Sequence, residues 1–124
     1  MFLLSPQTKV FLAKDPTDMR KGFQGLITLA ESVLEQDPIS GHLFVFINRR
    51  RDMLKILHWD GCGFWIWYRQ LEQGTHQLPG MNASNTSAGI ELTPTQLTLM
   101  LDGIDLRSAR QRLRYRPAAT VSSV

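Results

Sequence analysis

The chain has 124 residues, 43% of them hydrophobic, with 14 Lys and Arg against 11 Asp and Glu for a formal charge of +3, and a single cysteine. A chain of this length buries roughly two-thirds of its unfolded surface around one core, and its composition excludes a disordered polyelectrolyte. Lone Cys62 excludes an internal disulfide framework and any zinc site built on paired cysteines, and no run of about eighteen apolar residues offers a membrane span.

Residues 9–13 read as a short strand, stopped by the turn formers Asp15-Pro16-Thr17-Asp18. Met19, Phe23, Leu26, Ile27, Ala30, Val33 and Leu34 then recur at helical spacing, which predicts a long helix with Asp18 as N-cap and Asp37-Pro38 as its stop. Arg20 and Lys21 fall in the predicted first turn, where the helix dipole disfavours cations, so their placement hints at function rather than stability. Gly22 and Gly25 inside this helix predict the close approach of another backbone. Strand-like runs follow at 42–47, 53–59 and 64–71, joined by 48–52 and by Asp60-Gly61-Cys62-Gly63, whose Asp-Gly start signals a hairpin.

Counting away from that turn pairs Trp59 with Phe64, Leu57 with Ile66, and Lys55 with Tyr68. One face then carries Met53, Lys55, Leu57, Trp59, Phe64, Ile66 and Tyr68, and the other Leu54, Ile56, His58, Trp65, Trp67 and Arg69. Both faces are largely apolar. The long helix covers one, and the C-terminal segment, another subunit or a ligand must cover the other.

The small, polar stretch 79–89 reads as a flexible loop. Thr93 as N-cap, Pro94 at the first helical position and Gln96 closing a capping box predict a second helix that Gly103 ends, docked by Leu97, Met100 and Leu101. The tail fits two readings: a helix with Leu106, Ala109 and Leu113 on one side, or an extended segment with Arg110, Arg112, Arg114 and Arg116 aligned. The expected fold is α+β, an antiparallel sheet of four or five strands with one long helix on one face and a short C-terminal helix. Its expected parts are a core at 1–78, a loop at 79–89, a docked helical segment at 90–106 and a basic tail at 107–124.

Eight of the 14 basic residues form two clusters, Arg49-Arg50-Arg51 and Arg107, Arg110, Arg112, Arg114 and Arg116. Guanidinium groups offer paired donors to phosphate oxygens, and their binding releases counterions condensed on nucleic acid. Trp59, Phe64, Trp65, Trp67 and Tyr68 serve either as core or, beside Arg69, as a stacking platform; Trp65 and Trp67 are the candidates for stacking or for an interface. His42, His58 and His76 lack metal-ligand spacing, and Asp18, Asp52 and Asp60 are of the type that holds two metal ions for phosphodiester chemistry but each has a simpler task as a cap or turn former. The chain also lacks a P-loop, a nucleophile elbow and a dinucleotide fingerprint, so neither metal, cofactor nor catalytic residue is expected. No secretory pattern follows Met1-Phe2-Leu3-Leu4, and the expected location is the cytoplasm.

Five strings carry a resemblance: Thr17-Asp18-Met19-Arg20-Lys21-Gly22-Phe23, Gly41-His42-Leu43-Phe44-Val45-Phe46, Leu54-Lys55-Ile56-Leu57-His58-Trp59-Asp60-Gly61, Leu92-Thr93-Pro94-Thr95-Gln96-Leu97 and Leu101-Asp102-Gly103-Ile104-Asp105. In this order, over about residues 8 to 107, they resemble the TnpB-type accessory protein of the bacterial insertion-sequence family numbered sixty-six, which is distinct from the much longer RNA-guided nucleases of the same name. The resemblance implies a protein encoded beside a separate transposase, needed for efficient transposition and without an established enzymatic step. The family's basic and turn residues fall on Arg20, Lys21, Arg49, Arg50, Arg51, Lys55 and Arg69. The chain departs from the family pattern at Cys62 and at Thr75-His76-Gln77-Leu78-Pro79. The resemblance implies the transposase of the same element as a partner, while the arginine clusters point to DNA and the uncovered sheet face admits a second copy of the chain. The leading expectation is that Arg49 to Arg51, Lys55, Arg69 and the arginine tail contact DNA phosphates, and the runner-up is a protein–protein adaptor.

Overall fold

The computed structural model describes residues 7–78 and 89–102. Strand β1 (Val10–Ala13) leads through helix α1 (Phe23–Ser32) to β2 (Leu43–Ile47), and the meander β3 (Met53–Trp59) and β4 (Phe64–Gln70) follows. Strand β5 (Gly89–Leu92) and helix α2 (Pro94–Asp102) complete the described elements. The strands form one sheet in the order β4-β3-β2-β1-β5.

The hairpin has the register that counting from its turn predicts: Trp59 faces Phe64, Leu57 faces Ile66, and Lys55 faces Tyr68. The expectation of a purely antiparallel sheet is overturned, because β1 and β2 pair in parallel, Val10 with Leu43 through Leu12 with Val45. The physical reason is the connection. An intervening helix packed on one face returns the chain to the end where β1 began, so β2 runs the same way as β1. Every residue of β2 is buried, as befits a strand covered on both faces.

Helix α1 is shorter than the apolar stripe predicts. Its N-cap is Gly22, in extended conformation (φ −101°, ψ −151°), and not Asp18, so Arg20 and Lys21 precede the helix. Asp18 is diverted because its carboxylate accepts the Arg20 backbone N–H at 2.9 Å and the Arg20 guanidinium, forming a local turn in place of a cap. The helix closes before Asp37-Pro38: Glu35 takes a left-handed φ of 56°, and the Gln36 N–H donates to the Ala30 carbonyl at 2.9 Å. No second backbone lies over the two glycines. A Cβ on Gly22 would meet nothing within 4 Å, and one on Gly25 would meet the Lys21 side chain.

Two apolar layers flank the sheet. On one face Leu26, Ala30 and Leu34 pack with Phe44, Phe46 and Leu57. On the other, Leu97 and Met100 of α2 pack with Leu12, Val45, Ile56 and Ile90, so the C-terminal segment supplies cover for the second face. Helix α2 starts as its residues predict, with the Gln96 N–H donating to Thr93 Oγ1 at 3.0 Å and the Thr93 N–H to Gln96 Oε1 at 2.9 Å. Its far end is reached by Arg69, which donates to the Leu101 carbonyl. Helix α2 thus links β5 at one edge of the sheet to β4 at the other.

Strand β5 was not among the strand-like runs. Gly89, read as loop, pairs with Ala13 at an edge of the sheet, and a Cβ there would lie 2.6 Å from Leu34 Cδ2. The glycine makes room for Leu34, two residues beyond the end of α1. The sheet therefore takes in residues beyond the 1–78 core, while most of the 79–89 loop, Gly103 and the 107–124 tail lie outside the described residues.

Because the capping box is the anchor of α2, Thr93→Ala should lower the unfolding free energy by about 1 kcal/mol. Urea denaturation followed by tryptophan fluorescence would measure this; an unchanged midpoint would mean that the cap does not anchor the helix.

Candidate nucleic-acid interface

Strand direction decides where the charges go. Strands β1, β2 and β4 all finish at one end of the sheet, and α1 begins there. Of the Lys and Arg among the described residues, Lys14, Arg20, Lys21, Arg49, Arg50, Arg51 and Arg69 belong to this end, Lys55 lies within β3, and Lys9 precedes β1 at the opposite end. Asp15, Asp18, Asp52 and Glu72 share the basic end, and two of them are engaged: Asp18 by Arg20, and Asp52 by the Asn48 side-chain amide at 2.8 Å.

The Arg49-Arg50-Arg51 turn is firmly built. Arg51 has a left-handed φ of 64°, a conformation that costs a residue other than glycine roughly 1–3 kcal/mol and persists where its surroundings impose it. Here the Arg51 N–H donates to the Asn48 carbonyl at 3.0 Å, and the Arg51 carbonyl accepts the backbone N–H of buried His76 at 2.6 Å. The His76 ring nitrogen Nδ1 stands 3.0 Å from the same carbonyl. Asn48 also accepts the Met53 N–H at 3.0 Å, and the Leu71 N–H donates to the Asp52 carbonyl at 2.7 Å. The three arginine side chains stay exposed around this fixed backbone. Across from them, the Thr17 N–H donates to the Ile47 carbonyl at 2.8 Å and pins the chain after β1 to the end of β2. Lys14, Arg49 and Arg51 consequently line one cleft, whereas Arg50 lies outside its lining.

Of the other residues predicted to meet DNA, Lys55 and Arg69 hold backbone carbonyls of the chain itself. Lys55 is buried, its Nζ donates to the Lys21 carbonyl at 2.8 Å, and it stands 4.7 Å from the centre of the Tyr68 ring. It ties the approach to α1 onto the sheet and does not face outward. Arg69 reaches the last turn of α2, where a cation is favoured by the exposed carbonyls. Arg20 is exposed but paired with Asp18, Nη2 to Oδ2 at 2.7 Å. Lys21 is exposed at the same corner. Arg107, Arg110, Arg112, Arg114 and Arg116 lie outside the described residues. Lys14 is the cation that sequence reasoning missed; only the parallel return of β2 brings it beside the arginine turn.

Trp65 and Trp67 stack on each other, with centroids 5.8 Å apart and planes 9° from parallel. Trp65 is 52% exposed, and its indole N–H donates to Asp60 Oδ2 at 2.7 Å. Trp67 is half-buried, stacked on His58 and packed against the core. The pair lies on β4, an edge strand, toward the hairpin turn and away from the arginines. Asp52 and Asp60 flank the two ends of β3, on the order of 25 Å apart at ~3.3 Å per residue. They cannot share a metal pair, whose ions stand about 3.5–4 Å apart.

Asp60 organises the hairpin turn. Its Oδ1 accepts the Cys62 and Gly63 N–H groups at 2.8 and 2.9 Å. The Cys62 amide, then the Trp65 indole and the Gly63 amide, hold its carboxyl below the ordinary 3.8. The hydrogen bond from the Arg20 side chain, and next that from the Arg20 backbone, lowers Asp18 to about 2.

The described residues thus form a small mixed sheet with a helix on each face and most of their cations gathered at one end. The family model described as "IS66 Orf2 like protein" matches residues 8–111. Two proteins of Sinorhizobium fredii, both described as uncharacterized, are similar over most of their lengths. y4jC is 30% identical over 109 residues, covering 88% of this chain and 90% of its own. y4hO is 35% identical over 106 residues, covering 86% and 89%. No solved structure matches the chain. The chain belongs to the IS66 Orf2-like family, the transposition-associated accessory proteins of that insertion-sequence group. No helix among the described residues is long and apolar enough to cross a membrane.

Both aspartates have lowered folded-state values, so their stabilisation is fully present above the ordinary carboxylate range. It is lost as the pH falls through the folded values, toward about 2 for Asp18. Urea midpoints should therefore fall between about pH 5 and about pH 2.5, and Asp60→Asn should flatten that dependence. A variant whose pH profile parallels the parent would contradict the role given to Asp60.

Proposed function

We propose that this protein is a non-catalytic accessory factor of insertion-sequence transposition that holds DNA by its phosphates. The observation that carries the reading is the convergence of Lys14, Lys21 and Arg49 to Arg51 at one end of the sheet, around a turn whose backbone is fixed by hydrogen bonds. Such an end attracts a polyanion, and rigid guanidinium groups position it without reading its bases. Arg20 contributes after exchanging Asp18 for phosphate, and the arginines of residues 107–116 add to the positive charge of the chain. Lys55, buried with its ammonium on the Lys21 carbonyl, takes no part in holding the phosphates, whereas Arg69 is exposed at the same end while it holds the Leu101 carbonyl.

A second reading is favoured by one feature. Edge strand β4 pairs with β3 through seven consecutive residues and leaves Trp65 and Tyr68 more than half exposed. An edge strand without proline, apolar from Phe64 to Tyr68, invites another chain, either the transposase or a second copy. Sedimentation of the pure protein tests the second copy: a dimer that Trp65→Glu dissociates assigns the edge to it, and a monomer removes it and leaves the transposase as the partner to be tested.

The phosphate reading predicts binding to element-end DNA that weakens steeply with salt, with a log–log slope of about −0.9 per phosphate neutralised. Fluorescence anisotropy with an Arg49/Arg50/Arg51→Ala variant should show weaker binding to element-end and scrambled DNA alike. The slope should become shallower by roughly one for each phosphate that the variant no longer neutralises. Affinity indifferent to salt, or unchanged in the variant, would overturn the reading.

A further inference from the structure

The cleft at the finishing ends of β1 and β2 holds about 210 Å³. Its chemistry is divided. Lys14, Arg49 and Arg51 bring cationic groups to it, while Pro16 and Leu78 supply apolar surface, and Ile47, buried in the core, lies beneath them. No carboxylate residue belongs to the lining. The remaining polar wall is Asn48, whose side chain is already committed to Asp52 and to the Met53 N–H.

Cations alone would suit a phosphate on any nucleic acid. The apolar base asks for more: a flat, weakly polar group attached to the anion. Pockets that enclose drug-sized ligands run about 300–1,000 Å³, so this smaller cleft seats no more than part of one nucleotide and is too small for a base pair. A duplex presents phosphates and keeps its bases stacked inside, whereas an unpaired strand can turn a base outward. Both walls are held before any ligand arrives, one by the Thr17 bond to Ile47 and the other by the His76 bond to Arg51.

We propose that this cleft takes one unpaired nucleotide of single-stranded DNA, with its phosphate between Arg49, Arg51 and Lys14 and its base against Pro16 and Leu78. The assignment rests on the phosphate-binding reading above and narrows it to unpaired strands. It also separates neighbours in sequence: Arg49 and Arg51 serve the cleft, and Arg50 serves only the general field.

The test compares the full chain binding a labelled single strand, a blunt duplex of equal length and a duplex with a single-stranded overhang. Single strand and overhang should bind at least about tenfold more tightly than the blunt duplex, a step of about 1.4 kcal/mol. Arg49→Ala and Arg51→Gly should abolish that preference; glycine keeps the left-handed backbone of residue 51 while removing its guanidinium. Arg50→Ala should weaken all three DNAs alike and leave the preference intact. Thymidine 5′-monophosphate should compete where inorganic phosphate at equal concentration does not. Thermal melting confirms that each variant is folded. Equal affinity for the three DNAs, or a preference that survives removal of Arg49 and Arg51, overturns the nucleotide assignment and leaves phosphate binding standing. Absence of binding to all three overturns both.

Discussion

The parallel pairing of β1 with β2 is the constraint on which the basic end depends. Helix α1 carries the chain back across one face, so the two strands finish side by side, and the Thr17 bond to the Ile47 carbonyl closes the gap beyond them. Were β2 antiparallel to β1, the arginine turn would sit at the opposite end from Lys14 and Lys21. The apolar content of the crossover makes the arrangement stable. Leu26, Ala30 and Leu34 bury against Phe44, Phe46 and Leu57, while the other face of the same strands is covered by α2.

Charge is divided between holding the fold and facing outward. Lys55 and Arg69 direct their hydrogen bonds to backbone carbonyls of the chain before α1 and of α2, each fastening a helix end to the sheet. Asp18 and Asp60 do comparable work in turns by accepting backbone N–H groups. The Arg49-Arg50-Arg51 turn is arranged differently: its backbone is tied down by Asn48 and His76 while its side chains remain exposed. A rigid turn that presents three mutually repelling cations is unfavourable in a plain connecting loop and well suited to an anionic partner.

Local signals were legible in the residues. The Asp-Gly turn with alternating aromatics set the register of the β3–β4 hairpin, and Thr93, Pro94 and Gln96 marked the start of α2 to the residue. Whatever depends on residues distant in sequence was not. The direction of β2 follows from packing rather than pattern. β5 is four residues long and opens on a glycine that exists to accommodate Leu34, so it read as the end of a loop. The apolar stripe overstated α1 because Asp18 found a nearer partner in Arg20 than the helix N-terminus. For the site, the arginine triplet was visible as composition, but the burial of Lys55, the bond from Arg69 to Leu101 and the arrival of Lys14 beside the triplet all require the folded sheet.

Cys62 gives direct access to the central claim, that DNA lies at the arginine end of the sheet. It is the sole cysteine of the chain, exposed in the hairpin turn at the opposite end. A photoreactive group attached there can be compared with the same group on an Arg50→Cys variant that also carries Cys62→Ser. Crosslinking to bound DNA from position 50 but not from position 62 is the predicted result. Efficient crosslinking from position 62 with none from position 50 would contradict it.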